Sequence, residues 1–249
     1  MASWPSGSRS KPRVAEQTSI MSIADNLLRV RERIARAAEA AGRSASDITL
    51  VGVTKYVGVR EAAALVEAGC TDLGESRPQE LWSKAGEFAS ASGRKVNWHL
   101  IGHLQRNKLR RTLPLVTLIH SVDSERLLAA INTEWQTLPN TSSNPAPPIR
   151  VLLEINTSHE AAKHGLAPHE VEPLLAAADQ FPRVEICGLM TMAALEGGLA
   201  VAARNFAALR ELADRFRLKE RSMGMSGDFE VAIREGATIV RIGSALWQP

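Results

Sequence analysis

Lys55 is the first residue of this 249-residue chain whose setting suggests chemistry. It follows the apolar run Ile48–Val53 and Thr54. A lysine at the end of a buried strand is expected to be cut off from bulk water, which lowers its pKa and raises its nucleophilic fraction. A Schiff-base lysine fits that setting, and so does a lysine that snorkels outward from a strand end. Two segments near the C-terminus suggest a second chemistry. Gly224-Met225-Ser226-Gly227-Asp228 and Arg241-Ile242-Gly243-Ser244-Ala245 each combine small residues and a hydroxyl with free backbone N–H groups at an expected helix start. That combination suits a phosphate, although helix caps and tight turns use the same residues.

The elements that must position these groups follow from periodicity. Ile23, Leu27, Val30, Ile34 and Ala38 recur at helical spacing, and Gly42 stops that helix. Short apolar runs and helical segments then alternate. The runs are Ile48–Val53, Asp72–Gly74, Val96–Ile101, Val116–Ser121, Ile149–Ile155, Val184–Met190, Ser222–Met225 and Thr238–Ile242. The helices lie near 60–68, 78–88, 106–113, 124–135, 168–180, 199–216 and 228–235. Continuous, β-branched runs are what strands buried on both faces require. Eight such units predict an α/β fold, a single (β/α)8 TIM-type barrel with an additional N-terminal helix, with an open doubly wound sheet as the competitor.

In a parallel barrel the working residues lie at the C-terminal strand ends: Thr54-Lys55, Glu75-Ser76, His103, Asp123, Asn156, Thr191, Ser226 and Gly243-Ser244. Phosphate is commonly held after strands seven and eight, and strand eight neighbours strand one. Lys55 therefore faces the two hydroxyl-bearing loops. An aldehyde carrying a phosphate satisfies both, either pyridoxal phosphate or a phosphosugar in an aldolase-like reaction.

Composition excludes several classes. With 45% hydrophobic and 23% charged residues the chain is neither collagen-like nor wholly disordered. Two cysteines, Cys70 and Cys187, exclude a disulfide framework and read as reduced, buried thiols of a cytoplasmic protein. A net charge of +3 does not by itself predict nucleic-acid binding. The basic tract Arg106–Arg111 has no interleaved aromatics and reads as a solvated helix face. No apolar run is long enough to span a membrane. Residues 1–20 read as a frayed tail ahead of a domain over 21–249, with a transit peptide the alternative and a signal peptide excluded for want of an apolar stretch.

The motifs resemble those of the pyridoxal phosphate homeostasis protein family, which is similar in fold to the N-terminal barrel of alanine racemase. The residues concerned are Val51–Lys55, Gly74–Glu80, Trp98–Lys108, Lys163-His164-Gly165, Gly188-Leu189-Met190, Met223–Asp228 and Ala237–Ala245, in order over nearly the whole chain. The resemblance implies that Lys55 forms an internal aldimine with pyridoxal 5'-phosphate. It implies that Ser226, Gly243 and Ser244 hold the phosphate and that Arg241 lies close to the pyridine nitrogen, where it weakens the ring as an electron sink. Met190 is carried over as a further cofactor-binding residue. So is Ser76, although the family usually has asparagine there. The implied role is a carrier that buffers the cofactor and delivers it to apo-enzymes.

The rivals are a racemase, a phosphosugar lyase and a nucleic-acid module. Two-base racemisation needs an acid or base on each face of the substrate carbon. The single tyrosine, Tyr56, adjoins Lys55 and is poorly placed to oppose it. The expectation is therefore little or no turnover, in a monomer. His159 and His164 stand five apart and share no helical face, and His99 and His103, on a strand and its loop, do not converge on a metal. The segment around Ser226 lacks the final glycine spacing of a nucleophile elbow.

Overall fold

Ser22 opens the first helix with a capping box: its hydroxyl accepts the Asp25 N–H while the Asp25 carboxylate accepts the Ser22 N–H. The helix, α1 (Ile23–Ala40), buries Leu27, Val30, Ile34 and Ala38, and Gly42 beyond it has a positive φ of 67°. The computed structural model describes residues 22–91, 95–138, 147–158, 160 and 164–248. The expected tail over 1–20, most of the proline-rich loop after residue 138, and Lys163 lie outside the described residues.

After α1 come β1 (Thr49–Val53), α2 (Val59–Glu67), β2 (Asp72–Glu75), α3 (Pro78–Ala91), β3 (Asn97–Leu100) and α4 (Leu109–Thr112). They are followed by β4 (Leu118–Val122), α5 (Glu125–Thr137), β5 (Ile149–Glu154), α6 (Val171–Ala176), β6 (Val184–Met190) and α7 (Gly198–Arg215). The chain ends with β7 (Glu220–Ser222), α8 (Phe229–Arg234), β8 (Ile239–Ile242) and α9 (Ser244–Trp247). The eight strands pair in sequence order, all parallel, and β1 closes on β8. This is the closed barrel with a leading helix that the alternation predicts, and the open sheet is excluded.

Two apolar layers result from the strand alternation. The larger core lies between strands and helices and includes Leu73, Leu100, Ile119, Val240 and Phe206. A separate cluster of Val51, Leu118, Leu152, Met190 and Ile239 packs inside the barrel.

Four local expectations are corrected. Strand β7 covers Glu220–Ser222 rather than 222–225. Gly224 takes a φ of 93°, which ends extended structure there, while Glu220 and Arg221 pair in the ladder with Gly188 and Leu189 of β6. The basic helix near 106–113 and the helix near 168–180 are each a short α-helix flanked by 3₁₀ turns; prolines at 114 and 168 sit in those turns. Cys70 is buried, but Cys187 is only partly so. It is the extra residue where the β5–β6 register shifts, which leaves it unpaired in the ladder.

Candidate functional site at the C-terminal mouth of the barrel

Lys55 sits two residues beyond the end of β1. Thr54 is fully buried, and the chain turns there with the Val57 N–H on the Thr54 carbonyl at 3.1 Å. The lysine is exposed, with its Nζ 4.9 Å from the ring centre of Tyr56, itself 84% exposed. The expected burial of Lys55 is thus wrong, because the apolar run that suggested it ends before the side chain does. What is buried is its foundation. The Thr54 hydroxyl donates to Glu75 Oε1 at 2.6 Å, and Lys84 of α3 bonds both that carboxylate and, at 2.7 Å, the Thr54 carbonyl.

Ser226 follows β7 and is partly buried. Its hydroxyl oxygen accepts the N–H groups of Gly243 (3.1 Å) and Ala245 (3.3 Å) from the loop after β8. Ser244 between them is exposed. Asn26 of α1 donates to the Leu246 and Gln248 carbonyls, and the Trp247 indole N–H donates to the Val53 carbonyl at 2.8 Å. The loop after β8 is therefore tied to the end of β1, next to Lys55. Ser226 and Ser244 also border a cavity of about 410 Å³ that Arg29 and Arg33 line from α1.

Arg241 lies inside the barrel at 4% exposure. It donates to the Ser222 carbonyl (2.8 Å), the Ser222 hydroxyl (2.6 Å) and the Thr191 carbonyl (2.9 Å). Burial pushes its pKa down to about 10, against the pull of Asp228 and Glu154, so it stays charged at neutral pH. Glu154, at the end of β5, is raised above the usual carboxylate range by burial and by Asp123, against Arg241, His164 and His103. His103 stacks on His164 at 5.5 Å and approaches Asp123 at 3.5 Å.

Of the remaining sequence candidates, Met190 is 1% exposed within the interior apolar cluster. Ser76 is partly buried at the end of β2, its backbone pressed against Gly102: a Cβ there would lie 2.2 Å from the Ser76 carbonyl oxygen. Among the described residues no group of three or more histidine, cysteine or acidic side chains is placed to hold a metal ion, and no helix is long and apolar enough to cross a membrane. The basic tract is not bare: Trp82, remote in sequence, lies under Arg111 at 4.4 Å and Lys108 at 5.6 Å.

Sequence reasoning missed the polar interior. His99, His120 and Ser222 are buried and hydrogen-bonded to one another or to Arg241. The signal was present in His120-Ser121, a polar pair within the otherwise apolar run 116–121; polar side chains buried in a strand need partners.

The chain matches the family model described as alanine racemase, N-terminal domain, over residues 26–248. It is 41% identical over 232 residues to the pyridoxal phosphate homeostasis protein of Pseudomonas aeruginosa, covering 90% of this chain and 94% of that one. The structure of PipY from Synechococcus elongatus with PLP bound superposes with a TM-score of 0.75 at 29% identity, covering 90% of this chain and 99% of PipY. Alanine racemase from Bartonella henselae shares the fold, with a TM-score of 0.68 at 16% identity; 90% of this chain matches 58% of that one.

Proposed function

The chain belongs to the pyridoxal phosphate homeostasis protein family, and from that premise we propose that it binds pyridoxal 5'-phosphate at the C-terminal mouth of the barrel. The observation that carries this placement is the clasp at Ser226, where two backbone N–H groups of the loop after β8 converge on one hydroxyl oxygen beside the end of β1. Donors already aimed at one oxygen fit a phosphate, whose oxygens are acceptors. When bound, the cofactor supplies an aldehyde that condenses with a primary amine and a pyridine ring that can draw electrons from an attached carbon.

Lys55 supplies the amine, and its exposure leaves it open to an arriving ligand. Ser226, Gly243 and Ser244 hold the phosphate. Arg241 offers a donor to the ring nitrogen. A guanidinium has five N–H groups and no acceptor, so that nitrogen must accept and stays unprotonated. Met190 of β6 and Ser76 after β2 would complete the cofactor's binding residues. The role is that of a carrier which buffers the cofactor and hands it to apo-enzymes in the cytoplasm, as a monomer with little or no turnover. Two features support the low turnover: an arginine partner disfavours the protonated ring that would best accept electrons, and Tyr56 lies beside the Lys55 ammonium rather than across from it.

The test is a visible spectrum of the purified protein before and after borohydride, with a peptide map of the reduced sample and Lys55→Ala as control. A yellow protein whose reduced adduct maps to Lys55 and vanishes in the variant is expected. A colourless protein that takes up no added pyridoxal phosphate overturns the reading, and trapping by a phosphosugar instead would make it a lyase.

A further inference from the structure

Below Arg241 a chain of hydrogen bonds crosses the barrel interior. Arg241 Nη1 reaches Ser222 Oγ at 2.6 Å, Ser222 Oγ lies 2.9 Å from His120 Nδ1, His120 Nε2 lies 2.9 Å from His99 Nδ1, and His99 Nε2 lies 3.1 Å from Asp72 Oδ1. Ser222 and His120 are fully buried and His99 is 5% exposed. Asp72 and His99 border a cavity of about 610 Å³ at the opposite mouth, so the chain runs from one end of the barrel to the other.

Its two ends constrain the hydrogens between them. Arginine can only donate and an ionised carboxylate can only accept. Asp72 is ionised: burial works to raise its pKa, but the His99, Asn97 and Thr71 hydrogen bonds outweigh it and hold the group below its usual range. Ser222 Oγ accepts from Arg241 and has one hydrogen to give, for which His120 Nδ1 at 2.9 Å is the acceptor in reach. His120 then donates from Nε2 to His99 Nδ1, and His99 donates from Nε2 to Asp72. In this arrangement each ring donates from Nε2 and accepts at Nδ1. Burial also holds His120 well below the usual imidazole range.

We propose that Ser222, His120 and His99 are positioning residues for Arg241, fixing which of its N–H groups remain for the ring nitrogen of the bound cofactor. The proposal rests on the placement of pyridoxal phosphate argued above. The bonds to Ser222 and Thr191 engage three of the five donors. With the Ser222 hydroxyl turned toward His120, the guanidinium cannot rotate without breaking the chain.

Two measurements test this. Nitrogen-15 spectra of histidine-labelled full-length protein should show both His99 and His120 as Nε2–H tautomers at neutral pH; an Nδ1–H tautomer at His120 overturns the chain whatever the protein binds. The second compares dissociation constants for pyridoxal phosphate and for its deaza analogue, in which C–H replaces the ring nitrogen. The wild type is expected to prefer pyridoxal phosphate by about tenfold, the order of one charged hydrogen bond. Ser222→Ala should cut that preference to about twofold or less, whereas His120→Asn, whose side-chain oxygen can still accept from Ser222, should keep it. An unchanged preference in Ser222→Ala, or an equal loss of affinity for both ligands, overturns the positioning role. A wild type that binds neither ligand overturns the cofactor reading, and this proposal with it, and is distinguished from the former outcomes by that failure.

Discussion

The Ser226 hydroxyl oxygen lies 3.1 Å from the Gly243 amide and accepts its hydrogen, joining the loop after β7 to the loop after β8. With the Ala245 N–H on the same oxygen, the two loops are held in register before any ligand arrives. Preorganisation of this kind reduces the ordering cost of binding.

Removing that hydroxyl should therefore weaken phosphate binding in particular. Ser226→Ala is expected to lower affinity for pyridoxal phosphate about tenfold, the order of one hydrogen bond to a charged group. Affinity for pyridoxal, which lacks the phosphate, should barely move. Equilibrium dialysis with both ligands checks this, and equal losses would show that the clasp supports the fold rather than the phosphate.

The Lys84–Glu75 pair beneath Lys55 is almost fully buried, at 5% and 0% side-chain exposure. Among the described residues Glu75 Oε2 has no hydrogen-bond partner, so the carboxylate depends on Thr54 and Lys84. Lys84→Met should destabilise the protein by about 3–5 kcal/mol, because it leaves a buried charge unpaired. Adding Glu75→Leu should recover most of that loss. Urea midpoints of the single and double variants decide the matter. By contrast, the Arg33–Glu230 pair is more than a third exposed on its acidic side, and its removal should cost at most about 1 kcal/mol.

Glu154 gives a pH-dependent signature. Burial raises its folded pKa above the ordinary value of 4.5, so the native state holds a proton that the unfolded chain has released. The stability it contributes is present below pH 4.5 and is lost as pH rises through the folded value. Glu154→Gln should melt higher than wild type at pH 7, with the advantage shrinking toward pH 4.5. Thermal melts at the two pH values measure it.

The thiols behave alike. Burial raises Cys70 and Cys187 from 9.0 to about 11. Only about one thiol in a thousand is ionised at pH 8, and native protein should resist iodoacetamide that labels it readily in urea. The associated stability is present below pH 9 and lost between pH 9 and 11, which pH-dependent urea midpoints would register.

Gly102 is where the ends of β2 and β3 meet. Its carbonyl accepts the Ser121 hydroxyl at 2.6 Å, and a Cβ on it would overlap the Ser76 backbone. Gly102→Ala should cost roughly 1–3 kcal/mol as an overpacking change and shift the amide resonances of Ser76, which a ¹H–¹⁵N spectrum would reveal.

Much of the architecture was legible because it is encoded locally. The apolar runs at Ile149–Glu154 and Val184–Met190 declare strands buried on both faces, and the spacing of Leu27, Val30 and Ile34 declares the helix in front of them. Eight such runs separated by helices leave few arrangements other than a closed barrel. The strand ends then bring Lys55 and the hydroxyl loops to one mouth. The sequence reading displaced strand β7 because its residues are polar and are held by ladder pairing with β6. The exposure of Lys55 was likewise a matter of where the chain turns, set by Lys84 and Val57 acting on the Thr54 carbonyl. The line from Arg241 through Ser222, His120 and His99 to Asp72 joins five strands. No local pattern carries it, because a buried polar side chain announces only that it needs a partner, and closure of the barrel decides which one it finds.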